Sequence, residues 1–107
     1  MKAVIDEGVP RRLAKLLASH DCDVSAFPKH LRGLKNGILL AQLANAGFDC
    51  LLTCDKNLVY QQNVMRSGMA VIVLPFQRFE AVAPFAKQIV EALKSASRGA
   101  VLDIGIR

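Results

Sequence analysis

The sequence predicts an α/β fold, a parallel sheet with helices packed on both faces. Three observations carry this. Short apolar runs of strand length alternate along the chain with longer stretches of helical periodicity. The run Cys50-Leu51-Leu52 is interrupted by no polar residue, which is how a strand buried on both faces reads. Just over half of the 107 residues are apolar, enough for one domain to cover a good share of its sheet on both sides.

Lys2 to Asp6 reads as the first strand, with Ala3-Val4-Ile5 its buried part, and Asp6-Glu7-Gly8 turns out of it. Pro10 suits the first turn of a helix, where its missing N–H would lack a partner anyway. Leu13, Leu16 and Leu17 then supply an apolar stripe that runs to about Ser19, with Arg11, Arg12 and Lys15 on the other side. A short second strand is expected within Cys22–Ala26, then a loop over Phe27–Gly33. Gly37–Ala46 reads as a helix that is apolar nearly all round and therefore well buried. Asn36 is its expected N-cap and Gly47 its stop. The strand Cys50–Thr53 follows, then a short helix from about Asn57 to Arg66 and a strand over Met69–Leu74 that Pro75 ends. One long helix is expected over Phe79–Ala96, started or bent by Pro84. Val101–Ile104 is the last strand, at an edge.

The chain is organised around Phe48 to Leu58, which opens apolar and ends in Thr53-Cys54-Asp55-Lys56-Asn57. Asp55 is expected just past the carboxyl end of its strand, where open α/β sheets collect ligands and chemistry. Asp6 and Glu7 follow the first strand in the same way. The plainer reading is that Asp55 and Asn57 cap the next helix. Carboxylates converging at one sheet edge, without cysteine or histidine ligands, suit a hard cation such as Mg²⁺ or Mn²⁺. Arg11 and Arg12 oppose the positive end of their helix, a placement that an acidic cluster or an anionic ligand can offset. The plainer reading, which comes first, is two solvated surface arginines. His20 and His30 have no nucleophile or carboxylate at a telling spacing.

The formal net charge of +5 leans toward an acidic partner, nucleic acid or acidic protein, or serves solubility alone. No apolar run reaches the ~20 residues of a membrane span, and the acidic pair near the start comes too soon for a signal peptide. The three cysteines, without a CxxC pair, read as small apolar residues in a reducing cytoplasm.

Val4-Ile5-Asp6-Glu7-Gly8-Val9-Pro10-Arg11-Arg12-Leu13, then Gly33-Leu34-Lys35-Asn36-Gly37, then Leu51 to Leu58 with Tyr60-Gln61-Gln62-Asn63, resemble the small bacterial PIN-like domains. These are related to the toxin ribonucleases of toxin–antitoxin pairs. The resemblance runs over nearly all of residues 1–107. It implies a three-layer α/β/α sandwich with a five-stranded, mainly parallel sheet, and an acidic pocket that binds Mg²⁺ or Mn²⁺ and cuts single-stranded RNA. It also implies a small antitoxin protein encoded nearby, with a homodimer left open. Residue by residue, Asp6 and Asp55 match the catalytic acids. Asp6, Glu7, Asp55 and Asn57 form the implied metal set, and Arg11, Arg12 and Lys56 the implied nucleic-acid contacts. Asn57 stands where many relatives have Asp, and Asn36-Gly37-Ile38 where relatives often have Asp or Glu. The alternative is therefore a catalytically weak or inactive PIN-like domain acting by RNA or protein binding. A small α/β domain of another kind, phosphate-binding or receiver-like with Asp55 as acceptor, is a further one.

Overall fold

The structure, a computed structural model, describes residues 1–56, 64 and 67–105. Its elements are β1 (Ala3–Ile5), α1 (Arg11–Ala18), β2 (Val24–Ser25), α2 (Asn36–Asn45), β3 (Cys50–Thr53), β4 (Ala70–Val73), α3 (Phe79–Val82), α4 (Ala86–Ser95) and β5 (Val101–Asp103). The five strands form one sheet in the order β2-β1-β3-β4-β5, and every pairing is parallel. Of the helix expected from about Asn57 to Arg66, only Val64 lies within the described residues.

Strand residues alternate between two cores, which explains why their sequences read as unbroken apolar runs. Ile5, Leu52 and Ile72 pack on the face covered by Leu13 and Leu17 of α1 and by Ile89 and Leu93 of α4. Val4, Leu51, Val71 and Val73 pack on the other face, under Leu39, Leu40 and Leu43 of α2. Leu51 and Leu52 are adjacent in β3, both fully buried, and serve opposite cores. Burying each contributes about 2 kcal/mol relative to exposure.

The crossover β1–α1–β2 moves one way across the sheet, and β4–α3–α4–β5 moves the other way. Their helices nevertheless share one face. Between parallel strands, this gives the two crossovers opposite hands, so only one of them has the common right-handed form. A uniform hand would have left α1 alone on its face. With the reversal, α4 shields the β3–β4 side of the sheet next to α1.

Both expected helix ends are closed in the same way. After α2, Phe48 N donates to Leu43 O (3.1 Å) and Gly47 N to Ala44 O (3.0 Å), with Gly47 at φ +95. This is the paired-bond ending that calls for a left-handed residue. After α1 the same two bonds run from Cys22 N to Leu17 O and from Asp21 N to Ala18 O, with Asp21 at φ 64.

Three expectations are corrected. Asn36 is the first residue of α2 rather than its cap. Lys35 holds the cap position in extended conformation, its carbonyl accepting from Leu39 N. The α2 helix is not buried all round, since Ile38 is 65% exposed. The expected single helix Phe79–Ala96 breaks into α3 and α4 around a 3-10 turn at Ala83–Phe85. Pro84 has no N–H to donate, and its ring clashes with the carbonyl four residues back. The loop expected over Phe27–Gly33 also contains a 3-10 turn, Lys29–Leu31, which buries Leu31.

Candidate active site

The parallel register carries one row of residues past the last strand positions. Ile5 pairs with Leu52, and Asp6 N then donates to Leu52 O at 2.8 Å. Thr53 pairs with Val73, and Val73 with Asp103. Asp6, Thr53, Val73 and Asp103 thus form a row along the carboxyl edge. Asp6 and Thr53 sit between β1 and β3, where the chain, having moved from β1 out to β2, returns and continues the other way. That reversal opens the crevice in which open α/β sheets hold ligands.

Thr53 ties the row together. It is fully buried, the sole buried polar side chain among the described residues. Burial without partners would cost it several kcal/mol. Its hydroxyl donates to Asp6 Oδ2 at 2.6 Å and accepts from Asp55 N at 3.0 Å. Glu7 N donates to Asp6 Oδ1 at 2.7 Å. Both carboxylate oxygens of Asp6 are thereby fixed in direction, and each keeps lone-pair capacity for a further partner. Asp6 is half-buried and Asp55 exposed, and both line a cavity of about 260 Å³ with Thr53, Cys54, Gly8, Val9 and Gln77.

No family model, curated protein or solved structure matches the chain. The chemistry of the site therefore rests on its own geometry.

The expected residues do not all gather in one place. Asp6 and Asp55 come together. Glu7 lies on another side of Asp6, where its Oε1 accepts from Gly33 N at 3.2 Å. With Asp6, Arg11 and Arg32 it lines a separate cavity of about 50 Å³. Arg12 turns toward α3, its guanidinium 4.1 Å from the centre of the Phe79 ring and 3.7 Å from Glu80. Both ends of that ion pair are exposed, so it adds little stability. Lys56 is exposed beside Asp55. Asn57 lies outside the described residues.

Among the described residues, no three His, Cys, Asp or Glu side chains gather where they could hold one ion. The set that could hold a hard cation is the oxygen pair Asp6 and Asp55. Mg²⁺ accepts such a pair, because it retains waters and completes its shell with substrate phosphate. A soft metal is disfavoured at this place. Burial and the Asp6 charge push the Cys54 thiol upward, keeping it protonated at neutral pH, and its Sγ donates to Phe76 O at 3.5 Å.

Two residues of the site were not among those expected to act in it. Thr53 belongs to the Thr-x-Asp-x-Asn cluster, but its hydroxyl could be assigned only once Asp6 was known to lie opposite. Gln77 donates through Nε2 to Gly8 O at 2.8 Å, bridging the β1 and β4 turns over 69 residues of chain. Asp103, on β5 beyond Val73, does not line this cavity and accepts from Gly105 N instead (3.1 Å).

Proposed function

We propose that the chain is a PIN-like, Mg²⁺- or Mn²⁺-dependent endoribonuclease that cuts single-stranded RNA. In this reading it is the toxin half of a toxin–antitoxin pair whose small antitoxin is encoded nearby. The observation that supports it best is the Asp6–Thr53–Asp55 arrangement, two carboxylate residues tied to one buried hydroxyl in one cavity at the sheet's crevice.

Asp6 and Asp55 would hold the cation, which would supply charge to offset the two carboxylates and the substrate phosphate and lower the pKa of a water for attack. The chain's own residues supply position. Thr53 and Glu7 N aim the Asp6 carboxylate, which saves the site from ordering it during reaction. Asp55, at the exposed side of the cavity, stands where substrate arrives. Arg11, Arg32 and Lys56 surround the acids with positive charge that favours approach of a polyanion.

The second reading is a catalytically weak or inactive domain that binds RNA or protein. It is favoured by the separation of Glu7 from the Asp6–Asp55 cavity, which leaves two acids there.

The test is Mn²⁺ titration of the melting temperature with a cleavage assay on single-stranded RNA, for wild type and Asp6→Asn. A ligand that binds only the folded state at a hundred times its Kd stabilises it by about 2.7 kcal/mol. Wild type should show such a shift and cut RNA, and Asp6→Asn should lose both. An equal Mn²⁺ response in the two proteins would put the ion elsewhere and sink the nuclease reading. A metal response without cleavage would leave the binding domain.

A further inference from the structure

We propose that Phe76-Gln77-Arg78, the segment between β4 and α3, is the track by which single-stranded RNA runs out of the acidic cavity. Phe76 stacks a base and Arg78 holds a phosphate. The inference rests on the ribonuclease reading for its choice of substrate.

The cavity at Asp6 and Asp55 does not end at Gln77. A second one of about 360 Å³ shares Gly8 and Gln77 with it and continues past Pro10 to Arg78 and Phe79. The segment is pinned to the site at two adjacent points, by Cys54 Sγ on the Phe76 carbonyl and by Gln77 Nε2 on the Gly8 carbonyl. A Cβ added at Gly8 would meet Gln77 Nε2 at 2.9 Å, so the approach is close.

Phe76 is 48% exposed, one of three large apolar side chains in that state among the described residues. Its ring leans on Phe85, with centroids 5.9 Å apart and planes at 53°. One side is therefore braced while much of the ring faces solvent. Arg78 makes no ion pair among the described residues. Glu80, the acidic residue lining the second cavity, is offset by Arg12 at 3.7 Å. Gln77 and Arg78 thus line the outlet, and the residue before them presents a braced, exposed aromatic ring at its margin.

An exposed ring next to a guanidinium matches the two repeating features of a single strand, base faces and phosphates. An acidic polypeptide would engage Arg78 but gain nothing specific from a flat ring. RNA is therefore the better occupant.

The experiment measures fluorescence anisotropy of labelled oligoadenylate and oligouridylate against the full chain, with a chelator present so that no cation-dependent cutting occurs. Phe76→Ala should weaken oligoadenylate binding about tenfold. Phe76→Leu, which keeps the apolar bulk without the ring, should stay weak, and Phe76→Trp should bind at least as well as wild type. Arg78→Gln should flatten the log–log salt dependence by about 0.7, the loss of one phosphate contact on a single strand. Melting curves of the Leu and Trp variants monitor the fold. Wild-type affinity in Phe76→Leu, an unchanged salt slope in Arg78→Gln, or no RNA binding by wild type overturns the track. So does poly-glutamate binding that depends on Arg78 and ignores Phe76, which would assign the surface to an acidic protein. Cleavage with Mn²⁺ is scored separately. RNA cut by wild type with binding unaltered in both variants refutes the track and keeps the nuclease. The expected binding losses without any cutting support the track and remove the nuclease.

Discussion

Replacing Thr53 by Val keeps the shape of a fully buried side chain and deletes the one hydroxyl that joins Asp6 to Asp55. The bond to Asp6 is a charge-assisted one at 2.6 Å, worth about 1.5–3 kcal/mol. Asp6 is half-buried, so water can replace part of it, and the low end applies. The bond accepted from Asp55 N adds about 1 kcal/mol. A methyl in place of the hydroxyl returns about 0.8 kcal/mol. The net loss is about 2 kcal/mol. Unfolding entropy near 2.1 cal/mol/K per residue over 107 residues gives about 0.22 kcal/mol/K, so the melting temperature should fall by roughly 9 °C. Thr53→Ser keeps both bonds and loses one methyl, about 1 kcal/mol and roughly 5 °C. Thermal melting with chelator present reads the order wild type, Ser, Val. The Val variant should also lose part of the Mn²⁺-dependent shift, because Glu7 N alone then aims the Asp6 carboxylate. A Val variant that melts at or above the Ser variant would show that the hydroxyl bridge contributes nothing.

Three further substitutions test other parts of the account. Burial, reinforced by Asp49, pushes the Cys50 thiol from 9.0 to about 12, so over that range the unfolded chain releases a proton that the folded chain keeps. Stability is then full below pH 9 and falls as pH climbs toward 12, by up to about 1.4 kcal/mol per pH unit. Cys50→Ala should remove this slope, read as the difference between urea melts of the two proteins across alkaline pH. Equal slopes would disprove the assignment to Cys50. Asp21 holds φ 64 at the end of α1, so Asp21→Gly should stabilise by about 0.5–1 kcal/mol, while Gly47→Ala at φ +95 should cost about 1 kcal/mol. No atom lies within 4 Å of a Cβ built at Gly47, so backbone strain alone is being measured. A stabilised Gly47→Ala variant would contradict it.

The parts of the fold that could be read from the chain were those where one local signal dominates. Cys50–Thr53 was legible to the residue because full burial leaves no polar position in Cys50-Leu51-Leu52 before Thr53. Gly47 was legible because its place after α2 demands a left-handed residue. Asp21 takes the same conformation with a side chain that gives no such warning, so the end of α1 near Ser19 was legible from its apolar stripe while the residue that closes it was not. The split at Pro84 had two local outcomes, starting a helix or bending one, and nothing local to the sequence chooses between them. Asp6 and Asp55 could be placed at one edge from the strand alternation alone. The position of Glu7 could not, because its partner, Gly33 N, is 26 residues away in a loop without periodicity. Gln77 has the same difficulty over a longer separation. Side chains that act by reaching another loop leave no spacing to read.

The reversed hand of the last crossover also governs cooperativity. Since α1 and α4 lie side by side on one face, Leu13 and Leu17 share a core with Ile89 and Leu93 from the far end of the sequence. Meanwhile β1 is hydrogen-bonded to β3, whose residues follow it by 47 positions. Both cores draw on both halves of the chain, so each half has part of the burial that would offset its backbone entropy supplied by the other. A ribosome-bound chain that has released β1 to β3 still shows the bare flank of α1 that α4 will cover. The domain thus gains its stability late and as a unit. A lesion near Leu93 is felt at the first helix, at a sequence distance where a repeat protein would register nothing.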